Sequence, residues 1–453
     1  MLIILSDIHL GDGTCGRSIP ANAFHVFADR LSELAFNASW RKDGSYRPIE
    51  GIDILLLGDI LDPLHSTLWL DTAPDATDYT RPWTDRNAPT YAKKLSQITH
   101  AIFEKNAETL GVFRDLARNG KISLPARGSN GKPDIKDSVP LDIRLHYMIG
   151  NHDWFYGIHG AAFDAIRREV AEALGLAQDA SPFPYEVEES KSLQKILAEY
   201  QVYARHGDCY DKFNYDEDKG RIYSALGDAF TVEMLNRFHL EVERQLGDVI
   251  PPVMIENLRE LTNVRPALAT PLWISSQIKH NNLPNELQDK IKDIWEGLGE
   301  EFLALDTVRA ADKWLEFDSV DTLELLLQIS KRASFKTIND IVLWAQAKLW
   351  GGEVSYAQQA LKEPAFLEKK AQYIVYGHTH HHEIVSLDTT ESRTTHDDQI
   401  YFNSGTWHTY YDLAVHKPHA QKFVPYQIVT YLAFYKDDEC KGRRFETLSG
   451  TFS

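Results

Sequence analysis

Five short segments of the chain carry the residue types that bind metal ions or transfer protons. Each places aspartate, asparagine or histidine directly after a run of apolar residues: Ser6-Asp7-Ile8-His9, Gly58-Asp59-Ile60-Leu61-Asp62, Gly150-Asn151-His152-Asp153, His206-Gly207-Asp208 and Gly377-His378-Thr379-His380. Two divalent ions held close together need a bridging carboxylate, neutral imidazoles and hard oxygen ligands. One such segment is a weak signal, because a lone histidine is more often structural. The five in chain order indicate one composite site.

The spacing of these residues predicts how their side chains meet. Residues two apart on an extended segment lie on the same face, so Asp7 with His9, and His378 with His380, can each present a pair. A glycine precedes three of the candidate residues and permits a tight turn from strand to loop without a Cβ clash: Asp59, Asn151 and His378.

In this order the segments resemble the calcineurin-like metallophosphoesterase superfamily, whose pattern is D-x-H, G-D-x-x-D, G-N-H-D/E, H and G-H-x-H. The resemblance covers about residues 1–62, 141–212 and 371–434. It implies an α/β (α+β) fold, a four-layer α/β/β/α sandwich. It also implies a binuclear metal-dependent phosphoester hydrolase that works by attack of a metal-bridging hydroxide.

Carried over residue by residue, the resemblance implies two metal ions that share one carboxylate, that of Asp59. The other ligands of the first ion would be Asp7, His9 and His380. Those of the second would be Asn151, His206 and His378. Manganese is the favoured metal, and iron, zinc and magnesium stay open because such ligands accept several metals.

The resemblance also implies two catalytic residues. His152 is similar to the family's catalytic imidazole, which stabilises developing charge or protonates the leaving oxygen. Asp62 is similar to the carboxylate that orients this imidazole and fixes its tautomer.

The fourth segment is the least specific, because it is a single histidine. His206 is preferred because a glycine follows it and residues 202–204 can form the preceding strand. It competes with three other histidines, His146, His159 and His239.

Short apolar runs predict the strands that position these residues. In the first half they are Leu2–Leu5, Ile52–Leu57 and Leu145–Ile149. After residue 370, β-branched and aromatic runs separated by polar loops predict a meander: Tyr373–Tyr376, Glu383–Leu387, Gln399–Phe402 and Tyr426–Phe434. The predicted core therefore comprises residues 1–62, 141–212 and 371–453.

Two insertions interrupt this core. The first, 63–140, predicts an amphipathic helix followed by an exposed loop from Pro125 to Pro140; the apolar stripe of the helix is Tyr91, Leu95, Ile98, Ile102 and Phe113. The second, 213–370, predicts a helical cap. Its stripes are Leu287, Ile291, Ile294, Trp295 and Leu298, then Leu323, Leu326, Leu327, Ile341, Leu343 and Trp344.

Composition narrows the class of partner. The 453 residues carry 48 basic against 66 acidic side chains, a net charge of −18, which disfavours duplex nucleic acid as a ligand. Three well-separated cysteines predict a reducing, cytoplasmic environment, and no apolar run is long enough to span a membrane. Oligomeric state is not determined by these features.

Several superfamily branches stay open for the substrate. His206-Gly207-Asp208, followed by Asp211 and Tyr215, looks like the layout of UDP-2,3-diacylglucosamine pyrophosphatases. Those enzymes, however, usually carry arginine where this chain has His152, and their insertions are shorter. Serine/threonine protein phosphatases have arginine directly after the second aspartate of the G-D-x-x-D segment, where this chain has Pro63, and this difference disfavours that branch.

The favoured function is a phosphodiesterase or pyrophosphatase acting on a small phosphate ester. Within the superfamily the alternatives are a repair-type DNA nuclease and a phosphomonoesterase. An alternative of another class is a non-catalytic scaffold with the metallophosphoesterase fold. Such scaffolds tend to lose ligands, and every ligand position here has the expected residue type.

Aromatic residues near the predicted site have two interpretations. Trp154 and Phe155 follow the third segment directly, and lining of a substrate pocket and packing are equally good explanations for them. Packing is the favoured explanation for Trp69 and Trp83.

Overall fold

The computed structural model describes residues 1–118, 120–177, 181–265, 269–312, 355–389, 398–414, 416 and 420–452. Its strands are β1 (Leu2–Leu5), β2 (Gly51–Leu57), β3 (Ser123–Arg127), β4 (Pro133–Pro140), β5 (Asp142–Met148), β6 (Val202–Ala204), β7 (Val264–Arg265), β8 (Tyr373–Tyr376), β9 (His382–Asp388), β10 (Gln399–Ser404), β11 (His408–Leu413), β12 (Phe423–Phe434) and β13 (Phe445–Phe452).

The α-helices are distributed along the whole described chain. They are α1 (Ala21–Ala38), α2 (Pro89–Lys105), α3 (Ala107–Arg118), α4 (Ala161–Leu174), α5 (Lys191–Glu199), α6 (Leu226–Phe230), α7 (Arg237–Leu246), α8 (Pro252–Leu258), α9 (Thr270–His280), α10 (Asn285–Ala304), α11 (Asp306–Asp312), α12 (Ala357–Ala360) and α13 (Pro364–Leu367). A π-helix, Thr231–Asn236, joins α6 to α7. The chain therefore belongs to the mixed α/β class.

The first sheet has seven strands and is mixed. Its order is β5-β2-β1-β12-β11-β7, with β13 paired to β12. Strands β1, β2 and β5 run parallel, with Ile3 opposite Ile54 and Ile54 opposite Leu145. Their carboxyl ends therefore meet at one edge of the sheet, where three of the five predicted segments begin.

The second sheet has four strands in the order β6-β8-β10-β9. Strands β6, β8 and β10 are parallel, and β9 is antiparallel to β10. The remaining two segments, which contain His206 and His378, follow the carboxyl ends of β6 and β8.

Alternate residues of β1 face two different apolar cores. Leu2 and Ile4 lie in a cluster with residues of the second sheet, including Val375 and Phe402. The intervening residues of β1 lie in the cluster that contains the apolar faces of α1 to α4. A strand covered on both faces has no polar face, and this explains the uninterrupted apolar run at the start of the chain.

The second insertion has an apolar core of its own, built mainly from α7 to α10. The stripe predicted on α10 is confirmed: Ile291, Ile294, Trp295 and Leu298 are buried, and Leu287 packs against them. The second predicted stripe, Leu323, Leu326, Leu327, Ile341, Leu343 and Trp344, lies outside the described residues.

The first insertion differs from its prediction in two ways. The prediction of a single helix is wrong: α2 ends at Lys105 and α3 begins at Ala107. The side-chain amide of Asn106, between them, donates to the carbonyls of Gly11 and Ile102 at 2.8 Å each. The exposed loop from Pro125 to Pro140 is also wrong, since β3 and β4 pair there as an exposed antiparallel hairpin. Backbone pairing across a hairpin needs no apolar face, so periodicity does not reveal it.

The predicted C-terminal meander is divided between the two sheets. The predicted runs do form strands, but β10 pairs in parallel with β8 in the second sheet, whereas β11, β12 and β13 form antiparallel pairs in the first. The chain changes sheets at Gly405, which has a φ of 69°. Strand order depends on long-range pairing, which local composition does not specify.

All three cysteines are free, in agreement with the sequence prediction. Among the residues that the structure describes, no helix combines the length and hydropathy needed to cross a bilayer.

The contact between the two sheets predicts a large effect of truncating Phe402. This side chain is fully buried between the sheets, whereas Ile384, opposite it on β9, is 48% exposed. Phe402→Ala should lower the free energy of unfolding by about 3–5 kcal/mol, because it removes buried area and leaves a cavity. Ile384→Ala should change it by less than about 1 kcal/mol. Equal losses in urea denaturation would contradict this packing.

Candidate metal centre

The predicted ligands lie immediately beyond the strand ends, in an uncommon backbone conformation. Asp7, His9, Asp59, His378 and His380 have φ values of 52°, 51°, 57°, 67° and 64°. The left-handed region costs a non-glycine residue roughly 1–2 kcal/mol. The expectation that both D-x-H and H-x-H pairs lie on extended segments is therefore wrong. Their side chains converge because the backbone reverses locally at each ligand.

The first group of converging side chains consists of Asp7, His9 and His380, whose ligand atoms all lie within 4.8 Å of one another. His9 Nε2 lies 3.1 Å from His380 Nε2, which lies 3.2 Å from Asp7 Oδ1. Asp59 Oδ2 lies 3.9 Å from His9 Nε2. All four residues assigned to the first ion are thus brought together.

The second group consists of Asp59, His206 and His378, with Asn151 between the two imidazoles. His206 Nε2 lies 3.2 Å from Asp59 Oδ2 and 3.2 Å from Asn151 Oδ1. His378 Nδ1 lies 2.9 Å from the same Asn151 oxygen. Asp59 therefore borders both groups, as a bridging carboxylate must.

The competing histidines lie elsewhere. His146 hydrogen-bonds through Nε2 to Asp53 at 3.0 Å. His159 is exposed, and His239 is buried in α7. Of these four histidines, only His206 reaches the site.

Each converging imidazole uses its other nitrogen to contact a supporting group. His206 Nδ1 lies 3.0 Å from the Leu57 carbonyl oxygen, and His378 Nε2 lies 3.1 Å from Asp211 Oδ2. The two remaining contacts are His9 Nδ1 with Asp62 Oδ2 at 2.8 Å and His380 Nδ1 with the Tyr410 hydroxyl at 2.5 Å. Such contacts fix the tautomer of a metal-binding histidine and aim its free nitrogen at the ion.

The distances between these atoms suit divalent ions. Ligands at right angles around an ion, with bonds of about 2.1 Å, lie about 3.0 Å apart. Imidazole nitrogens with carboxylate and amide oxygens form a donor set that manganese, iron and zinc accept. The residues present therefore fit two divalent ions, one on each side of Asp59.

The carboxylate of Asp62 contacts three imidazole rings. Its Oδ2 lies 2.7 Å from His65 Nδ1, and both of its oxygens lie 3.1 Å from His152 Nδ1. Since Oδ2 also contacts His9, one buried carboxylate orients a predicted ligand and the predicted catalytic imidazole together. The structure thus brings Asp62 and His152 together, and it adds His65.

Glycine is required where the loops approach each other. A methyl group at Gly150 would overlap the Asp59 carboxylate and the His206 ring, and one at Gly377 would lie 2.7 Å from Asp7 Oδ2. The sequence predicts glycine here for tight turns; at Gly150 and Gly377 it is the close approach of neighbouring side chains that requires it. The lack of a side chain at both glycines also lets the ligand groups come close.

Burial and neighbouring charges shift the pKa values of the groups in the centre. Burial lowers the pKa of His206, but Asp59 and Asp7 outweigh burial and raise that pKa to about 10. Burial similarly opposes protonation of His152, and Asp62 and Asp59 raise its pKa to about 9. Burial raises the pKa of Asp7, so a cation at the site would help to keep this carboxylate ionised. The buried carboxylates therefore favour positively charged groups at the centre.

The sequence analysis assigns no supporting role to His65, Asp211 or Tyr410. His65 lies three positions after Asp62, and this spacing is a local signal for it. Asp211 is named from the sequence only as part of the layout that resembles the pyrophosphatases. Tyr410 lies on β11, thirty residues after His380, and nothing local marks it.

Comparisons of the chain with protein-family models, with curated proteins and with solved structures find no match.

The contact between Asp211 and His378 predicts a selective loss of metal affinity. Asp211→Asn should weaken binding of one of two manganese ions by about 10–100-fold, because it removes the carboxylate that orients the imidazole. Asp218→Asn, an exposed change in the same loop, should leave both affinities unchanged. Calorimetric titration of the metal-free protein measures this. Equal affinities in the two variants would show that Asp211 has no such role.

Proposed function

We propose that the chain is a binuclear metal-dependent phosphoester hydrolase of the calcineurin-like metallophosphoesterase superfamily. Its substrate is a small phosphodiester or pyrophosphate. The observation that carries the proposal is the shared arrangement of four imidazoles, each with one nitrogen on a supporting group and the other aimed at a common centre.

The bound ions would supply a nucleophile at neutral pH, by lowering the pKa of water, and would polarise the phosphoryl oxygens. Asp59 would be the ligand shared by the two ions, because it borders both ligand groups. Its Oδ1 also accepts a hydrogen bond from the backbone N–H of His152 at 2.8 Å, which ties the ligand to the catalytic segment.

His152 is the residue that handles the proton of the leaving group. Its Nδ1 faces Asp62, so Nε2 is the atom left to meet the substrate. Asp62 and Asp59 outweigh burial and raise the pKa of this imidazole, which favours its protonated form. It can then stabilise developing negative charge or protonate the leaving oxygen.

The charge of the chain favours a small substrate over duplex DNA. A net charge of −18 opposes the approach of a long polyanion, whereas local cations at the centre can still attract a single phosphate ester. The repair nuclease is therefore the weaker alternative, and the phosphomonoesterase stays open. The four-layer sandwich and the role of the second insertion as a cap belong to the same proposal.

The proposal predicts hydrolysis of bis(p-nitrophenyl) phosphate by the manganese-loaded protein. Asp59→Asn should remove both activity and bound metal, because it removes the shared carboxylate. His152→Ala should lower kcat by about 10²–10⁴-fold while metal content is retained. Release of p-nitrophenolate and elemental analysis measure the two quantities separately.

His280→Ala is the matched control, since His280 is exposed at the end of α9. It should change neither turnover nor metal content. Unchanged turnover in Asp59→Asn or His152→Ala would refute the catalytic proposal. Failure of the reconstituted protein to hold a full ion per chain would favour the non-catalytic scaffold.

A further inference from the structure

A cavity of about 350 Å³ lies where the two insertions meet. The first insertion contributes residues 82–87 to its wall, and the second contributes residues 222–224, Lys219 and Thr307. Trp154, from the segment that carries the predicted catalytic imidazole, completes the wall. A cavity of this size is in the range of small-ligand sites.

Aromatic rings form much of this wall. Trp83 packs against the core that contains the apolar faces of α1 to α4 and against the core of the second insertion, and it also lines the cavity. Packing, the favoured interpretation of Trp83, is therefore confirmed. Tyr223, on the other side, is 45% exposed. Exposed aromatic faces inside a concave site stack with planar ligands.

Arg86 holds Tyr223 in place across the boundary between the insertions. Its guanidinium lies over the Tyr223 ring at 3.9 Å from the centroid, and its Nη1 donates to the Ile222 carbonyl at 2.5 Å. Lys219 adds a second basic group to the wall. Lys219 Nζ lies 2.9 Å from Asp216 Oδ2, and the wall also carries Asp85. Arg86 is therefore the basic group of the wall that best suits a planar ligand with an anionic group.

The cavity is connected to the candidate metal centre through Trp154. The indole Nε1 donates to Asp228 Oδ2 at 3.1 Å. Asp228 is buried, and Trp154 lies two residues after His152. The cavity wall therefore includes part of the segment that carries the imidazole proposed to serve the leaving group.

We propose that this cavity binds the nucleoside part of a phosphodiester substrate, with the base stacked on the Tyr223 and Trp83 side of the wall. The inference rests on the proposed function, because the metal centre would hold the phosphate of the same molecule. It narrows the substrate from any small phosphate ester to one that carries a nucleotide unit.

The test compares two ligands that differ in the base. Adenosine 5′-monophosphate and ribose 5-phosphate share a sugar phosphate, so a stacking site should favour the first by about 10-fold or more in Kd. Calorimetric titration of the manganese-loaded, full-length protein measures both. Tyr223→Ala should abolish most of this preference, and Tyr223→Phe, which keeps the ring, should retain it.

Tyr79→Ala is the matched control. Tyr79 belongs to the first insertion and, like Tyr223, lies beneath a guanidinium, that of Arg81, at 4.6 Å, but it is outside the cavity wall. Its replacement should leave the preference for the base intact. Equal affinity for the two ligands, absence of adenosine monophosphate binding, or a preference that survives Tyr223→Ala would each overturn the inference.

Hydrolysis of bis(p-nitrophenyl) phosphate separates this inference from the proposed function. Retained hydrolysis without a base preference would refute the nucleoside site alone. Loss of hydrolysis in the metal-loaded wild-type protein would refute the catalytic proposal and with it the substrate assignment.

Discussion

Three carboxylates buried at one sheet edge, those of Asp7, Asp59 and Asp62, impose the constraint on which the rest of the structure depends. Burial of an unpaired charge costs several kcal/mol per ion, so each carboxylate needs positive or hydrogen-bonding partners. The imidazoles that meet this need come from strand ends of both sheets. These interactions between carboxylates and imidazoles therefore bring together residues as distant in sequence as Asp7 and His380.

The backbone at the centre is stabilised by the packing beneath it. Five predicted ligand residues adopt left-handed conformations that each cost roughly 1–2 kcal/mol. Strands β1, β2 and β8, which precede them, are almost completely buried, and this packing can offset such local costs. Ligand geometry at the strand ends is thus set by rigid elements rather than by long loops.

The second insertion contacts residues that support the centre. Strand β7 of the second insertion pairs with β11, and Arg265 from β7 lies over the ring of Tyr410, which contacts His380. On the other side, Trp154, two residues after His152, donates to Asp228 of the second insertion at 3.1 Å. Each of these contacts joins the second insertion to a segment of the centre.

The sequence by itself determined the residue types of the centre, their order and the strands that precede them, because ligand chemistry and uninterrupted apolar runs are local properties. Tertiary structure alone decided which supporting group each imidazole meets: Leu57, Asp62, Asp211 and Tyr410 contact rings from distant segments. It also decided the division of the C-terminal strands between two sheets and the break at Asn106. These features depend on long-range contacts, and local periodicity carries no information about such contacts.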